Sequence, residues 1–418
     1  MIYRKNLKFF LLFTFLIALP NLTYSASPRN IFWPVQAVDT VKYSRDLARE
    51  KLNNESFDAV INKQVVNIAS LGATHIVIAT PYDKEFFPFL KRWVNAGRKN
   101  NLKIWFRGNW SGWEGWFSYG VISREEHISK TKNFILDNPD LFESGDIFTA
   151  CPECENGGPT GDPRFSGDVA GHRKFLIDEH NVMASSFKKI GKNVVYNFNS
   201  MNGDVARLIM DKATTKALGG VVTIDHYVRT SEKLVSDIKD FSEKSGGKVV
   251  LGEIGVPIPD IHGRLNDSEQ AKWMDDTLNK LVKMPEVIGI NYWLSYGGST
   301  SLWSEKGNIK PIAGTIKNFY KPKLLTGYIM DALDKPISNA SIKNGYATST
   351  SESNGYFEIP YIYSESSLNL NISANEYNIK NIAIKNLGDI QEIKLDKIDS
   401  GFWFNVVKSI RNFFAFLY

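Results

Sequence analysis

Between residues 30 and 320, short apolar runs of strand type alternate with longer stretches whose apolar positions recur at helical spacing. The strand-type runs are Ile31 to Ala37, Thr74 to Thr80, Lys103 to Arg107, Asp146 to Ala150, Asn193 to Phe198, Gly219 to Ile224, Lys248 to Glu253 and Val287 to Trp293. Helical periodicity fills the gaps, over Phe57 to Leu71, Phe86 to Asn100, Ile128 to Leu136, Ala170 to Ile190, Asp204 to Ala217, Ser231 to Lys244, Glu269 to Val282 and Lys310 to Phe319. Parallel strands need a crossover between them, so this alternation predicts β/α units. Eight units predict an α/β fold, a (β/α)8 TIM barrel over residues 27–320, for which about 250 residues plus insertions is usual. A doubly wound open sheet is the competing reading, since periodicity does not show closure; no GxGxxG or Walker A run supports it.

After Tyr320-Lys321-Pro322 the pattern changes to short strands with turn signals, at Leu325 to Asp331, Ala340 to Lys343, Tyr356 to Ile359, Leu368 to Ala374 and Ile379 to Lys385. Asp334-Lys335-Pro336 and Asn354-Gly355 mark turns, and residues 323–396 therefore read as a small all-β sandwich. The two ends differ from both regions. Arg4, Lys5 and Lys8, the apolar run Phe9 to Leu19, Pro20 and the small residues around Ser25 have the order of a signal peptide over 1–25. An uncleaved anchor is the alternative. Residues 400–418 are dense in aromatics with Lys408 and Arg411 interleaved, which fits a helix lying on a membrane surface or a segment packed back on the protein.

The stretch with most chemical content is Val249-Val250-Leu251-Gly252-Glu253-Ile254-Gly255-Val256-Pro257. An apolar run ends there in one carboxylate, followed at once by Gly255 and Pro257. In a (β/α)8 barrel, active sites sit at the C-terminal ends of the strands, which makes Glu253 a candidate catalytic group. The fourth strand supplies a partner, because it leads into Cys151-Pro152-Glu153-Cys154-Glu155-Asn156. Glycoside hydrolysis needs a carboxylic acid to protonate the leaving oxygen and a carboxylate on the other side of the anomeric carbon. Glu153 and Glu253 can supply both; Glu155 is a rival acid and otherwise a substrate-binding candidate. The third strand runs into Arg107, Asn109, Trp110, Trp113 and Trp116, a loop whose indoles suit the apolar faces of sugar rings. Arg107 and Asn109 either bind hydroxyls or tie the strand end to Glu253. Asn156, Asn197, Tyr227 and Trp293 complete the substrate-binding set.

These residues resemble the clan A glycoside hydrolases, a large group of retaining (β/α)8 enzymes that includes cellulases, mannanases and β-galactosidases. Gly252-Glu253-Ile254-Gly255 matches the nucleophile strand of that clan, and Pro152-Glu153-Cys154 occupies the place of its Asn-Glu-Pro acid/base motif. The resemblance implies that Tyr227 hydrogen-bonds the nucleophile and that Trp293 forms the platform under the sugar. Pro152 departs from the clan, whose Asn contacts the sugar 2-hydroxyl. The sandwich resembles the carboxypeptidase regulatory-like domain through Thr326-Gly327-Tyr328, Lys335-Pro336-Ile337 and Asn354-Gly355-Tyr356-Phe357, which implies an accessory role.

Charge and cysteine content narrow the picture. The net charge of +5 falls to +2 without the three basic residues of 1–25, which gives no argument for nucleic acid. Cys151 and Cys154 are the two cysteines of the chain, and without further ligands nearby they read as a local disulfide, or as buried thiols, ahead of redox chemistry or half a metal site. The combined expectation is a secreted or cell-envelope retaining glycosidase that uses two glutamates and needs neither metal nor organic cofactor. The competing expectation is an inactive barrel that binds carbohydrate at the envelope. Carboxyl separation discriminates them, since a retaining pair stands about 5 to 5.5 Å apart.

Overall fold

The computed structural model describes residues 31–398, so the expected leader and the aromatic tail lie outside the described residues. Eight parallel strands form one sheet: β1 (Val35–Asp39), β2 (His75–Ile78), β3 (Lys103–Phe106), β4 (Ile147–Phe148), β5 (Ser200–Asn202), β6 (Val221–Asp225), β7 (Lys248–Ile254) and β8 (Val287–Tyr292). Their order is β4-β3-β2-β1-β8-β7-β6-β5, with β1 paired to β8 as closure demands. The remaining gap is closed by Val195, which bridges Ile147 in parallel and exchanges bonds with the Phe148 amide and the Asp146 carbonyl, each at 2.8 Å. The sheet is thus a barrel, and the open-sheet alternative falls.

Alternating strand positions explain the two cores. Val35, Ala37, Val77, Trp105, Ile147, Phe198, Val221 and Val250 fill the barrel interior. Their neighbours Ile76, Ile104, Phe106, Val222, Val249 and Leu251 face outward onto helix residues such as Ile61, Trp93, Met274 and Leu278. Strands covered on both faces read as continuous apolar runs, which is why the eight units were visible in the sequence. A buried Trp such as Trp105, truncated to Ala, costs about 3–5 kcal/mol.

The first, fourth and fifth strands differ from expectation, the first running over Val35–Asp39 instead of Ile31 to Ala37. The fourth ladder is short, and the fifth runs over Ser200–Asn202 instead of Asn193 to Phe198. The expected stretch still lies in the barrel wall, but Asn197 donates its side-chain amide to the Gly219 carbonyl at 3.0 Å. A side-chain to backbone bond of this kind competes with regular ladder pairing.

Beyond the helix Pro311–Tyr320 follow β9 (Lys323–Asp331), β10 (Ser341–Lys343), β11 (Thr348–Thr350), β12 (Tyr356–Tyr361), β13 (Leu368–Ser373), β14 (Lys380–Ile384) and β15 (Gln391–Leu395). They make a four-stranded sheet, β11-β10-β13-β14, and a three-stranded sheet, β12-β9-β15. The sheets share a core in which Leu325, Ile329, Phe357 and Ile393 meet Ile342, Leu370 and Ile372. Two strands go beyond those expected: β11 is three polar residues long, and β15 has two apolar positions among charged ones. Among the described residues no helix is long and apolar enough to cross a membrane.

Candidate active site

The C-terminal rim of the barrel is built around one buried cation. Arg107 stands one residue past β3, where it is 5% exposed. A guanidinium so far from water requires anions and acceptors at its nitrogens. Arg107 donates to Glu253 Oε1 at 2.6 Å, to Asp225 Oδ2 at 2.5 Å and to Ser200 Oγ at 3.3 Å, and Asp39 stands 3.7 Å away. These partners come from β7, β6, β5 and β1, so one side chain ties four strands at their C-terminal ends. Of the two readings left open for Arg107, the structure favours the tie to Glu253.

Glu253 has both oxygens engaged, because Tyr227 donates its hydroxyl to Oε2 at 2.7 Å. Burial, followed by the Glu253 charge, pushes the Tyr227 phenol well above its ordinary range, so it remains a donor. The flanking glycines are required by close approach. A Cβ on Gly252 would lie 2.4 Å from Asp225 Oδ1, and one on Gly255 would lie 2.0 Å from the Trp293 carbonyl. The Gly-Glu-Ile-Gly pattern therefore lets β7 pass its neighbours while presenting Glu253.

Glu153 is held differently. It sits in the loop after β4 with φ 46° and ψ 49°, a left-handed backbone that costs of order 1 kcal/mol or more for a residue with a Cβ. A disulfide between Cys151 and Cys154 brackets it, and its amide donates to the Ser200 carbonyl at 2.8 Å. Among the described residues no side chain hydrogen-bonds the Glu153 carboxyl. Burial, and then the nearby Glu253 charge, raise its pKa to about 7 against the opposing pull of Arg107. One oxygen each of Glu153, Asp225 and Glu253 lie within 4.8 Å of one another. Three carboxylates at that spacing can share a cation, and Arg107 is the cation already bonded to two of them. Burial also raises Asp225, and it raises Asp39 to about 6, each against the pull of Arg107.

A cleft of about 300 Å³ opens over Glu153 and Glu253, and its lining includes Arg107, Glu114, Trp116, Asn156 and Trp293. A second hollow of similar volume lies on the β10-β13-β14 sheet among Lys343, Asn369, Asn371 and Asn381, without a side-chain set of catalytic type. The rim thus brings together six sequence-predicted residues: Glu153, Glu253, Arg107, Asn156, Tyr227 and Trp293.

Five others lie elsewhere. Trp110 and Trp113 are 5% and 4% exposed and form core beneath the loop. Trp110 meets Phe134 edge-on, while Trp113 stacks on Phe175 at 4.9 Å and donates to the Cys154 carbonyl. Asn109 is fully buried and donates to Glu114 Oε1 at 2.5 Å. Glu155 turns away from the cleft and accepts from both the amide and the side chain of Asn202. Asn197 is spent on Gly219. The sequence reading missed Glu114 and Asp39 and left Trp116 outside the binding set. Asp39 had a signal, since it ends β1 as Glu253 follows the apolar run of β7.

No family model matches the chain, and no curated protein matches it. Solved structures do resemble it. A GH5_18 protein of Streptomyces cattleya, solved with Manb1-4GlcNAc, aligns at TM-score 0.49 and 13% identity over 71% of this chain and 84% of that one. The Bacteroides uniformis beta-glucuronidase 2, covalently bound to a cyclophellitol-6-carboxylate aziridine, aligns at 0.44 and 9% over 81% of this chain and 44% of that one. A beta-D-glucuronidase of Dictyoglomus thermophilum aligns at 0.44 and 13%, over 69% and 50%. The chain spans half or less of those two glucuronidases. At these scores the likenesses carry no functional argument.

Proposed function

We propose that the chain is a retaining glycoside hydrolase that cleaves O-glycosidic bonds of an oligo- or polysaccharide, exported to the cell envelope or beyond. The observation that carries the reading is the approach of Glu153 and Glu253 to within 4.8 Å, oxygen to oxygen, across a cleft. Retaining pairs stand about 5 to 5.5 Å apart, whereas inverting pairs leave about 6.5 to 9.5 Å for a water.

Glu253 attacks the anomeric carbon while protonated Glu153 gives its proton to the departing glycosidic oxygen. Carboxylate ester bond formation and C–O cleavage leave a glycosyl-enzyme and an ionised Glu153. Glu153 then takes a proton from water, the oxygen of that water attacks the anomeric carbon, and Glu253 departs as carboxylate. The environments suit the roles. Arg107 and Tyr227 direct donors at both oxygens of Glu253, while burial and then the Glu253 charge raise the pKa of Glu153 to about 7 and favour its neutral form. Once Glu253 is glycosylated its charge is gone, the pKa of Glu153 falls, and the ionised residue serves as the base that takes a proton from water.

A second reading, an inactive barrel that binds carbohydrate, is favoured by Pro152, which lines the cleft where the resemblance places a sugar-binding Asn. Proton NMR on the products of aryl glycosides cleaved by the full chain separates these. A first-formed product with the anomeric configuration of the substrate is expected. An inverted product contradicts the mechanism, and glycan binding without cleavage of any glycoside supports the inactive barrel.

A further inference from the structure

The cleft that holds Glu153 and Glu253 is also lined by a carboxylate that no step above uses. Glu114 ends the short helix Ser111–Glu114 in the β3 loop and lines the cleft beside Arg45 and Trp116. Its orientation is fixed from behind. Asn109 accepts the Trp110 amide at Oδ1, 2.7 Å away, and that same oxygen faces His127 Nε2 at 2.9 Å. The Asn109 nitrogen is therefore the end turned to Glu114, which it meets at 2.5 Å. His127 in turn bonds Glu179 through Nδ1. Asn109, His127 and Glu179 are all buried, so a polar relay runs through the apolar core and ends on a carboxylate at the cleft.

Burying three hydrogen-bonding side chains has a desolvation cost, and here their linked bonds hold Glu114 in one geometry before any ligand arrives. Only Oε1 is engaged by Asn109, which leaves Oε2 as the second acceptor of the group. Close by, the Arg45 guanidinium lies over the Trp116 ring at 4.7 Å and is paired with Asp46 at 2.8 Å. Arg45 covers one face of that indole.

We propose that Glu114 is a substrate-binding residue that accepts a hydrogen bond from a pyranoside hydroxyl in the subsite facing Glu153 and Glu253. The proposal rests on the glycosidase reading and deepens it. Glu114 does not take part in bond making; it holds the sugar so that the anomeric carbon lies between the two catalytic carboxyls. Burial raises the Glu114 pKa to about 7, so its hydrogen bonds are charge-assisted, and about twice as strong as neutral ones, as the pH rises past that value.

The test uses the full chain and a panel of 2,4-dinitrophenyl glycosides, comparing wild type with Glu114→Gln. In the variant the amide oxygen can still accept from Asn109, while the group facing the cleft changes from acceptor to donor. The expected result is a KM raised about tenfold on the best-cleaved glycoside, kcat within about threefold of wild type, and an unchanged Tm. Unchanged KM with a lowered Tm would assign Glu114 a structural role and overturn the proposal, as would a fall in kcat alone. Glu114→Asp, which keeps the charge but draws it back from the cleft, provides the same readout if Glu114→Gln folds poorly. Turnover by wild type with both variants unaffected sinks this inference alone; no turnover of any glycoside by wild type sinks the glycosidase reading and this inference with it.

Discussion

The two ends of the barrel wall that carry Glu253 and Glu153 solve the same problem in opposite ways. At the end of β7, the carboxylate is gripped through its side chain: Arg107 holds one oxygen and Tyr227 the other, on a strand whose flanking glycines let neighbours close in. At the end of β4, the grip is on the backbone. A left-handed φ, a disulfide across Cys151 and Cys154 and an amide bond to the Ser200 carbonyl aim Glu153, while its carboxyl has no side-chain partner among the described residues. Donors meet both oxygens of Glu253, whereas burial and then the Glu253 charge raise the pKa of Glu153 to about 7. The difference teaches how one rim can give two glutamates the distinct environments that the proposed nucleophile and acid require.

The largest effect is expected at Glu253. Glu253→Gln is expected to lower kcat by about four orders of magnitude or more on every cleaved glycoside, measured by release of the aryl alcohol, because no other group replaces the nucleophile. Next comes the grip itself. Arg107→Gln leaves Asp225 and Glu253 without their buried cation, and urea unfolding should show a loss of about 3–5 kcal/mol, since removing one partner strands the others' charge.

Glu153→Gln sharpens the contrast, because its effect depends on the leaving group. kcat should fall about 10²–10⁴-fold on glycosides with poor leaving groups and far less on dinitrophenyl glycosides, which depart without a proton. Stability moves the other way. The folded-state pKa of about 7 lies above the unfolded value, so the wild type is penalised as Glu153 ionises with rising pH. Glu153→Gln should therefore be more stable than wild type by about 1–3 kcal/mol at pH 8, with the gain fading toward pH 4, as read by urea midpoints. The smallest effect is at Tyr227. Tyr227→Phe keeps the ring and removes one donor, which should cost about tenfold in kcat/KM.

The sequence showed the barrel because strands covered on both faces read as uninterrupted apolar runs, and it pointed to Glu253 because a single carboxylate closes such a run. It could not sort the indoles. Trp110, Trp113 and Trp116 look alike in a glycine-rich loop, yet Phe134 and Phe175, which bury the first two, come from helices that begin well downstream. Glu155 and Glu153 are two residues apart, and what separates them is the left-handed turn between strand and helix, which sends one carboxyl into the cleft and the other onto Asn202. Arg107 was ambiguous for a similar reason, since its partners at Asp39, Ser200, Asp225 and Glu253 meet it only once the barrel closes. In the β-domain, β11 and β15 lacked enough apolar alternation to stand out, and pairing with stronger strands defines them.

The central claim is that Glu253 becomes bonded to sugar. Incubating the full chain with activated 2-deoxy-2-fluoro glycosides of different sugars, followed by intact mass and peptide mapping, tests it directly. The account predicts a single glycosyl adduct on the peptide that contains Glu253, absent in Glu253→Gln. An adduct on any other carboxylate, or hydrolysis of the parent glycosides with no adduct from any fluoro sugar, would contradict it.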